Sequence, residues 1–369
     1  MHFSLGTLRQ QLSARGPWLT AAILALSAFA AVAPLRAQGC IVARSTGQPV
    51  GPETEGGYLM PGEFDLSVGY RHQFSFRHFV GPVEQTYRIQ QGTQVMNKIN
   101  LETIGLTYQA TPRFSFTVDM PLLEASRRSH NSPYTLTAQG FGDMSFTAQG
   151  WVFNPQHETL PGNVSFGFGM VLPTGKDNVM NRVDAFDGKG PVDKLADYSI
   201  QPGTGGYGIV FQWQSFLNVG SLSQAYFNGN YIATPQNTNN VQRSTTINPL
   251  TLTHYVSISD EYLMETGIAR AIPKVRGLSL NFGPRMEGVP AHDLIGDSLG
   301  FRRPGFAISF EVGAQYVHKK DVLTATIGKA IYRDRTRSEP DILTGGHGDA
   351  AFADYIWLAS YSHRFGGHH

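Results

Sequence analysis

Residues 63–76 read EFDLSVGYRHQFSF, with apolar side chains on every second position. Phe64, Leu66, Val68, Tyr70, Phe74 and Phe76 share one parity, and His72 is the single exception on it. Asp65, Ser67, Gly69, Arg71, Gln73 and Ser75 share the other. Successive side chains of a strand point to opposite faces, so the stretch predicts a strand with one apolar and one polar face. The pattern returns in RFSFTVDMPL (113–122), NVSFGFGMVLP (163–173) and FAISFEVGAQY (306–316). Weaker versions lie at 99–110, 142–154, 207–217, 222–233, 250–272, 277–287, 321–333 and 353–365. No amphipathic helix interrupts them.

The connections come in two sizes. ATPR (110–113), NVGSLS (218–223), PKVRG (273–277) and VHKKD (317–321) read as tight turns. Segments 77–97, 125–140, 174–206, 235–249, 288–303 and 334–351 are long and rich in Gly, Pro, Asn and Asp. Short turns at one end and long loops at the other are the signature of an outer-membrane barrel. Taking 250–272 as one long or bent strand gives an even count and puts every short turn on the same side. The predicted fold is therefore all-β: a transmembrane antiparallel β-barrel of about twelve strands.

A soluble β-sandwich also alternates, so the choice between lipid and protein core rests on other features. Charged residues make up 15% of the chain, against roughly 25% in soluble domains. The N-terminus reads as a cleaved signal peptide over 1–37: Arg9 and Arg15, an apolar run from Trp18 to Ala33, then Leu35, Arg36 and Ala37 before the cut. A flexible lead-in over 38–60 and a barrel over 61–366 follow. Cys40, the single cysteine, permits no internal disulfide, and Ala37, Gln38 and Gly39 before it are a poor acylation context. The ending YIWLASYSHRF sets Tyr355, Trp357, Ala359, Tyr361 and Phe365 on one face. It resembles the C-terminal aromatic signal by which barrel-assembly machinery recognises outer-membrane proteins, with GGHH trailing beyond Phe365. The localisation expected is the bacterial outer membrane, with lipid as the partner of the apolar faces. His72, on the apolar parity, belongs near a membrane interface.

Motifs for enzymatic chemistry are absent from the sequence. GTGGYG (203–208) matches G-x-G-x-x-G, yet a long loop precedes it and a strand follows, so it offers phosphate no helix N-terminus. There is no G-x-S-x-G, H-E-x-x-H or C-x-x-C. Asp184, Asp187 and Asp193 lack the spacing of a calcium loop, and His363, His368 and His369 cluster only at the tail. No metal, cofactor or catalytic residue is expected. With 29 Lys and Arg against 28 Asp and Glu, nothing favours nucleic acid as a partner.

MVLPTGKDN (170–178), followed by ADYSIQPGTGGYG (196–208), resembles a family of bacterial outer-membrane transporters grouped under the label of the meta-pathway of phenol degradation. LTYQATPRFSFTVDMPL (106–122) shares the resemblance. It implies passage of small hydrophobic or aromatic solutes across the outer membrane and brings no catalytic residues with it.

On this register Asp65, Arg71, Asp119, Arg285, Glu287, Glu311 and Arg364 point into the lumen, as a structural charge network or as a solute path. Asp293, Arg302, Arg303 and Asp349 are expected to pin the long loops into the barrel mouth. The function expected is a channel or transporter for a small-molecule solute. Alternatives are a structural or surface-recognition barrel and, with less support, a lipid-modifying barrel enzyme, for which His72 and His254 are the strand histidines to test.

Overall fold

The structure, a computed structural model, describes residues 58–155, 160–184, 187–243 and 255–367. The segment over 1–37 expected to be a signal peptide, Cys40, His254, His368 and His369 lie outside the described residues. Twelve strands form the wall. They are β1 (Glu63–Val80), β2 (Val95–Gln109), β3 (Phe114–Ser129), β4 (in two parts, Leu136–Phe141 and Met144–Trp151) and β5 (Gly162–Leu172). There follow β6 (Gly208–Asn218), β7 (Ser223–Ala233), β8 (Glu261–Ala271) and β9 (Leu278–Val289). The last three are β10 (Gly305–His318), β11 (Asp321–Asp334) and β12 (Ala350–Gly366).

Each strand pairs antiparallel with its neighbours in sequence, and β1 also pairs with β12 from Glu63↔Gly366 onward. Closure matters because an unpaired backbone N–H or C=O in hydrocarbon costs several kcal/mol. The seam carries aromatic contacts as well. Phe365 stacks on Phe64 with centroids 5.5 Å apart, and Phe64 lies 4.8 Å from Tyr108.

The alternation has a direct physical outcome. Leu66, Val68, Phe166, Phe168, Met170, Phe310 and Trp357 stand exposed on the outer wall, whereas Arg71, Gln73, Ser165, Arg285 and Glu311 are buried within. A soluble sandwich would bury the first set. Of segment 250–272, the described residues 255–272 form two pieces: only β8 enters the wall, and Tyr255–Ser257 pairs with Thr238–Gln242.

Loops 77–97 and 125–140 are shorter than expected, because β1 and β3 run on to Val80 and Ser129. These extensions carry polar residues on both faces, Arg127 and Arg128 among them. Apolar alternation reports a strand only while one face meets lipid, so it falls silent where the strand rises above the membrane.

β4 is broken by a bulge. Asp119 pairs with Ser145 and Leu122 with Phe141, so two residues of β3 face three of β4. Pro121, which has no N–H to give, stands opposite the bulge, and its carbonyl accepts the Gly142 N–H at 2.8 Å.

Candidate functional site

Of the seven charged residues assigned to the lumen, four meet. Arg71 on β1 spans the lumen to Glu287 on β9 as a two-pronged pair, Nη1 to Oε2 at 2.9 Å and Nη2 to Oε1 at 2.5 Å. Gln73 Oε1 accepts two further bonds from the same guanidinium, from Nε at 3.3 Å and Nη2 at 2.8 Å. Arg285 Nε donates to Glu287 at 3.0 Å, and its Nη1 lies 3.6 Å from both Glu265 and Glu311. Two guanidiniums and three carboxylates thus form one buried plug on the β1 and β8–β10 side. Isolated charges would cost far too much here, and opposite charge at each site offsets that cost. Arg71, Gln73 and Glu287 are hydrogen-bonded, whereas Arg285 Nη1 meets Glu265 and Glu311 only as ion pairs at 3.6 Å.

The other three stand apart. Asp65 and Arg364 face each other across the β1/β12 ladder near the short-turn end. Asp119 lies on β3 beside Ser145 and borders a cavity. Glu265 escaped the sequence reading because β8 alternates poorly, with Tyr262 and Leu263 both buried.

The mouth is tied by aspartates. Arg303 grips Asp197 with Nη1 at 2.7 Å and Nη2 at 2.8 Å, and its guanidinium lies 4.9 Å from the Tyr198 ring centroid. Burial alone would raise the Asp197 carboxyl, but Arg303 and then Arg127 overcome this and hold it well below the usual carboxylate range. Arg302 pairs with Asp293 and donates to Ser257 Oγ. Asp293 in turn accepts the Asp260 N–H at 2.9 Å. Asp260 takes bonds from the Tyr231 hydroxyl, the Thr234 N–H and the Leu294 N–H. Asp349 meets His78 Nδ1 at 2.7 Å and Arg88 at 2.8 Å. These contacts form two groups. Asp349 joins the loops after β1 and β11 to each other and to β1. Asp197, Asp260 and Asp293 join the loops after β5, β7 and β9.

A second fastening uses the two motif segments. The Thr174 hydroxyl donates to the Gly142 carbonyl at 2.9 Å and accepts the Met144 N–H at 2.9 Å. Asp143, the bulge residue, takes the Gly175 N–H on Oδ1 and both the N–H and hydroxyl of Thr204 on Oδ2. Gly203 and Gly175 pack backbone to backbone: a Cβ on Gly203 would sit 2.2 Å from the Gly175 oxygen. L-P-T-G and Q-P-G-T-G are therefore two halves of a clasp that holds loop 173–207 in the break of β4. The glycines of GTGGYG serve this close approach and the turn into β6.

Two cavities flank the clasp. The upper, about 70 Å³, lies beneath the loops and is lined by Leu101, Leu123, Asp177, Tyr198 and Val256 among others. The lower, about 130 Å³, reaches into the barrel between Thr103, Asp119, Ser145, Gln212 and Asn230. They share Pro121, Thr204, Ser259 and Glu261. An apolar cavity of about 150 Å³ holds benzene, so the lower one approaches the size of a single aromatic ring. Its floor is an amide relay in which Gln212 Nε2 donates to Gln149 Oε1 at 3.2 Å and Gln149 Nε2 to Ser165 Oγ at 2.6 Å. A larger groove, bordered by Phe114, Trp151, Phe166 and Phe211, opens on the apolar outer face.

No family model matches the chain, and no curated protein matches it. Among solved structures, an outer membrane channel from Pseudomonas putida F1 aligns over 86% of this chain and 100% of its own, with a TM-score of 0.55 and 15% identity. The chain has the fold of an outer-membrane β-barrel. The translocator domain of the autotransporter NalP from Neisseria meningitidis gives 0.42 at 12% identity, covering 84% of this chain and 90% of that one. A Pseudomonas aeruginosa FadL homologue gives 0.41 at 8%, covering 91% and 99%.

Among the described residues no group of three His, Cys, Asp or Glu side chains could hold a metal. Asp193 is paired with Arg182 at 3.3 Å, Asp187 with Lys189 at 3.8 Å, and His363 with Asp321 at 2.8 Å. On the outer wall His72 Nδ1 lies 2.7 Å from Asn100 Oδ1, which also accepts the Tyr70 hydroxyl. Glu102 and Glu124 continue this polar row on β2 and β3, above the apolar run from Phe64 to Tyr70.

Proposed function

We propose that this protein is an outer-membrane channel for small solutes, hydrophobic or aromatic in class, exported by the signal over 1–37 and inserted through its C-terminal strand. One observation carries the reading: a closed barrel with an apolar outer wall holds two adjoining cavities that lead from the loop end toward mid-barrel. Leu101, Leu123, Tyr198 and Val256 give the upper cavity an apolar wall for a ring to rest against. The lumen charges then divide the work. Arg71, Arg285, Glu287 and Glu311 seal one side, and Asp119 borders the path on the other. The shared fold of the Pseudomonas putida channel supports the same reading.

The test is reconstitution of the refolded barrel, with planar-bilayer conductance and swelling of liposomes in benzyl alcohol read side by side. A discrete conductance, with benzyl alcohol uptake faster than in protein-free liposomes, is expected. A second reading, a structural barrel without transport, draws on the plug and the amide floor, which both stand within the lumen. Silence in both assays would leave that reading standing and end the first.

A further inference from the structure

The charges of the lumen are segregated by sign in a way the channel reading does not require. Asp119, Asp143, Asp177 and Glu261 line the two cavities, and among the described lining residues there is no Lys, Arg or His. Three arginines approach the upper cavity from behind its wall: Arg127 at Ser199, Arg302 at Ser257 and Arg303 at Tyr198. Each is committed to an aspartate, Asp197 or Asp293. Of the lumen arginines, Arg71 is bound to Glu287, and Arg285 donates its Nε to Glu287 with its Nη1 3.6 Å from Glu265 and Glu311. Both therefore face carboxylates of the plug, and neither lines the cavities.

The lower cavity also holds an unanswered polar group. Thr103 is 9% exposed, borders this space, and its hydroxyl has no hydrogen-bond partner among the described residues. Around it stand the oxygen-bearing side chains of Asp119, Ser145, Thr147 and Glu261. A buried hydroxyl without a partner marks a place where water or a solute donor or acceptor completes the bonding.

We infer that the path is cation-selective and that its solutes carry a protonated amine rather than a carboxylate. The inference rests on the channel reading above and names the substrate class of the same path. An ammonium group donates in three directions and meets the carboxylates of Asp119 and Glu261 with opposite charge, while the Leu101, Leu123 and Tyr198 wall takes an attached ring. A carboxylate entering the same space meets like charge and no cation.

Reversal potentials across a potassium chloride gradient test the inference, together with liposome swelling in benzylammonium against benzoate, two probes of one size and opposite charge. The expected permeability ratio is about fivefold or more in favour of potassium and of benzylammonium at low salt, falling as salt rises. Asp119→Asn with Glu261→Gln should bring both ratios close to one, the refolded state being confirmed by heat-modifiable gel mobility. Conductance with benzoate entering as fast as benzylammonium, or a reversal potential favouring chloride, overturns the inference in the unmodified protein, whatever the variant does. Absence of any conductance, with benzyl alcohol uptake no faster than in protein-free liposomes, instead overturns the channel reading on which it stands.

Discussion

On the β1 and β8–β10 side of the lumen, Arg71 and Arg285 meet Glu265, Glu287 and Glu311 in one buried cluster of ion pairs. On the β3–β7 side, carboxylates stand around a cavity with hydroxyls and amides for company. Both sides are built from inward-facing polar residues of the same alternating strands, so parity alone does not separate them. Reach does. Arginine is long enough to cross the lumen and bind a carboxylate on a distant strand, closing the space it crosses. Aspartate and threonine are short, and where they face inward without arginine opposite, the barrel stays hollow. The distribution of arginine therefore decides which side of a narrow barrel is filled and which stays hollow.

The comparison breaks most severely at Arg71. Arg71→Met removes the group that bridges β1 to Glu287 and leaves a buried carboxylate with one guanidinium in place of two. A loss of about 3–5 kcal/mol is expected, as for other buried pairs that lose a partner. Urea unfolding in lipid vesicles reads it directly. The double variant Arg71→Met with Glu287→Gln should recover part of the loss, since no unanswered charge remains on that bridge. A single variant as stable as the parent would mean that the plug contributes nothing to holding the wall.

The clasp is the cavity side's counterpart and should yield next. Asp143→Ala strips the acceptor from the Gly175 N–H, the Thr204 N–H and the Thr204 hydroxyl, at about 2–4 kcal/mol for several bonds to a charged group. The strands should persist while loop 173–207 becomes open to protease. Cleavage no faster than in the parent would show that the loop is held by its arginine ties instead.

Most of the wall was legible in the sequence because lipid enforces a strict two-residue period. Even Glu311 and Arg285 could be placed inside from parity alone. What could not be read is what lies opposite what. Arg71 and Glu287 are 216 residues apart, and no local pattern announces their pairing. Asp143 was passed over because a bulge shifts the period at the very residue that carries the clasp. Asp197 and Asp260 were passed over because loop aspartates look alike until their partners are in view. The motif segments were visible as motifs, but their shared partner in the break of β4 appears only in three dimensions.

Acid sharpens the contrast with less disruption. The Asp197 carboxyl, held well below the 3.8 of an unconstrained aspartate by Arg303 and Arg127 despite its burial, stabilises the mouth only while ionised. Its contribution is fully present above 3.8 and is lost as pH falls through the depressed folded value. Pepsin digestion across this range should therefore find loop 173–207 resistant at pH values above the ordinary aspartate range and progressively cut below it. Asp197→Asn should flatten that profile, with cutting already present at the upper end. A profile unchanged by the substitution would place the acid-sensitive contact elsewhere.

The smallest expected effect on stability separates the hollow side from the filled side most cleanly. Gln212 and Gln73 are both inward glutamines at mid-strand, one in the amide floor and the other holding Arg71. Gln212→Ala opens the floor beneath the lower cavity and loses one neutral hydrogen bond, about 1 kcal/mol. Gly167, whose missing side chain leaves room for Gln212, creates no new obstruction there. Single-channel conductance should rise severalfold. Gln73→Ala removes an acceptor from a guanidinium that remains bound to Glu287, so stability falls by about 1.5–3 kcal/mol and conductance stays where it was. Equal conductance changes in the two variants would mean that solutes cross the plug as readily as the cavity, and the division of the lumen drawn from arginine's reach would fail.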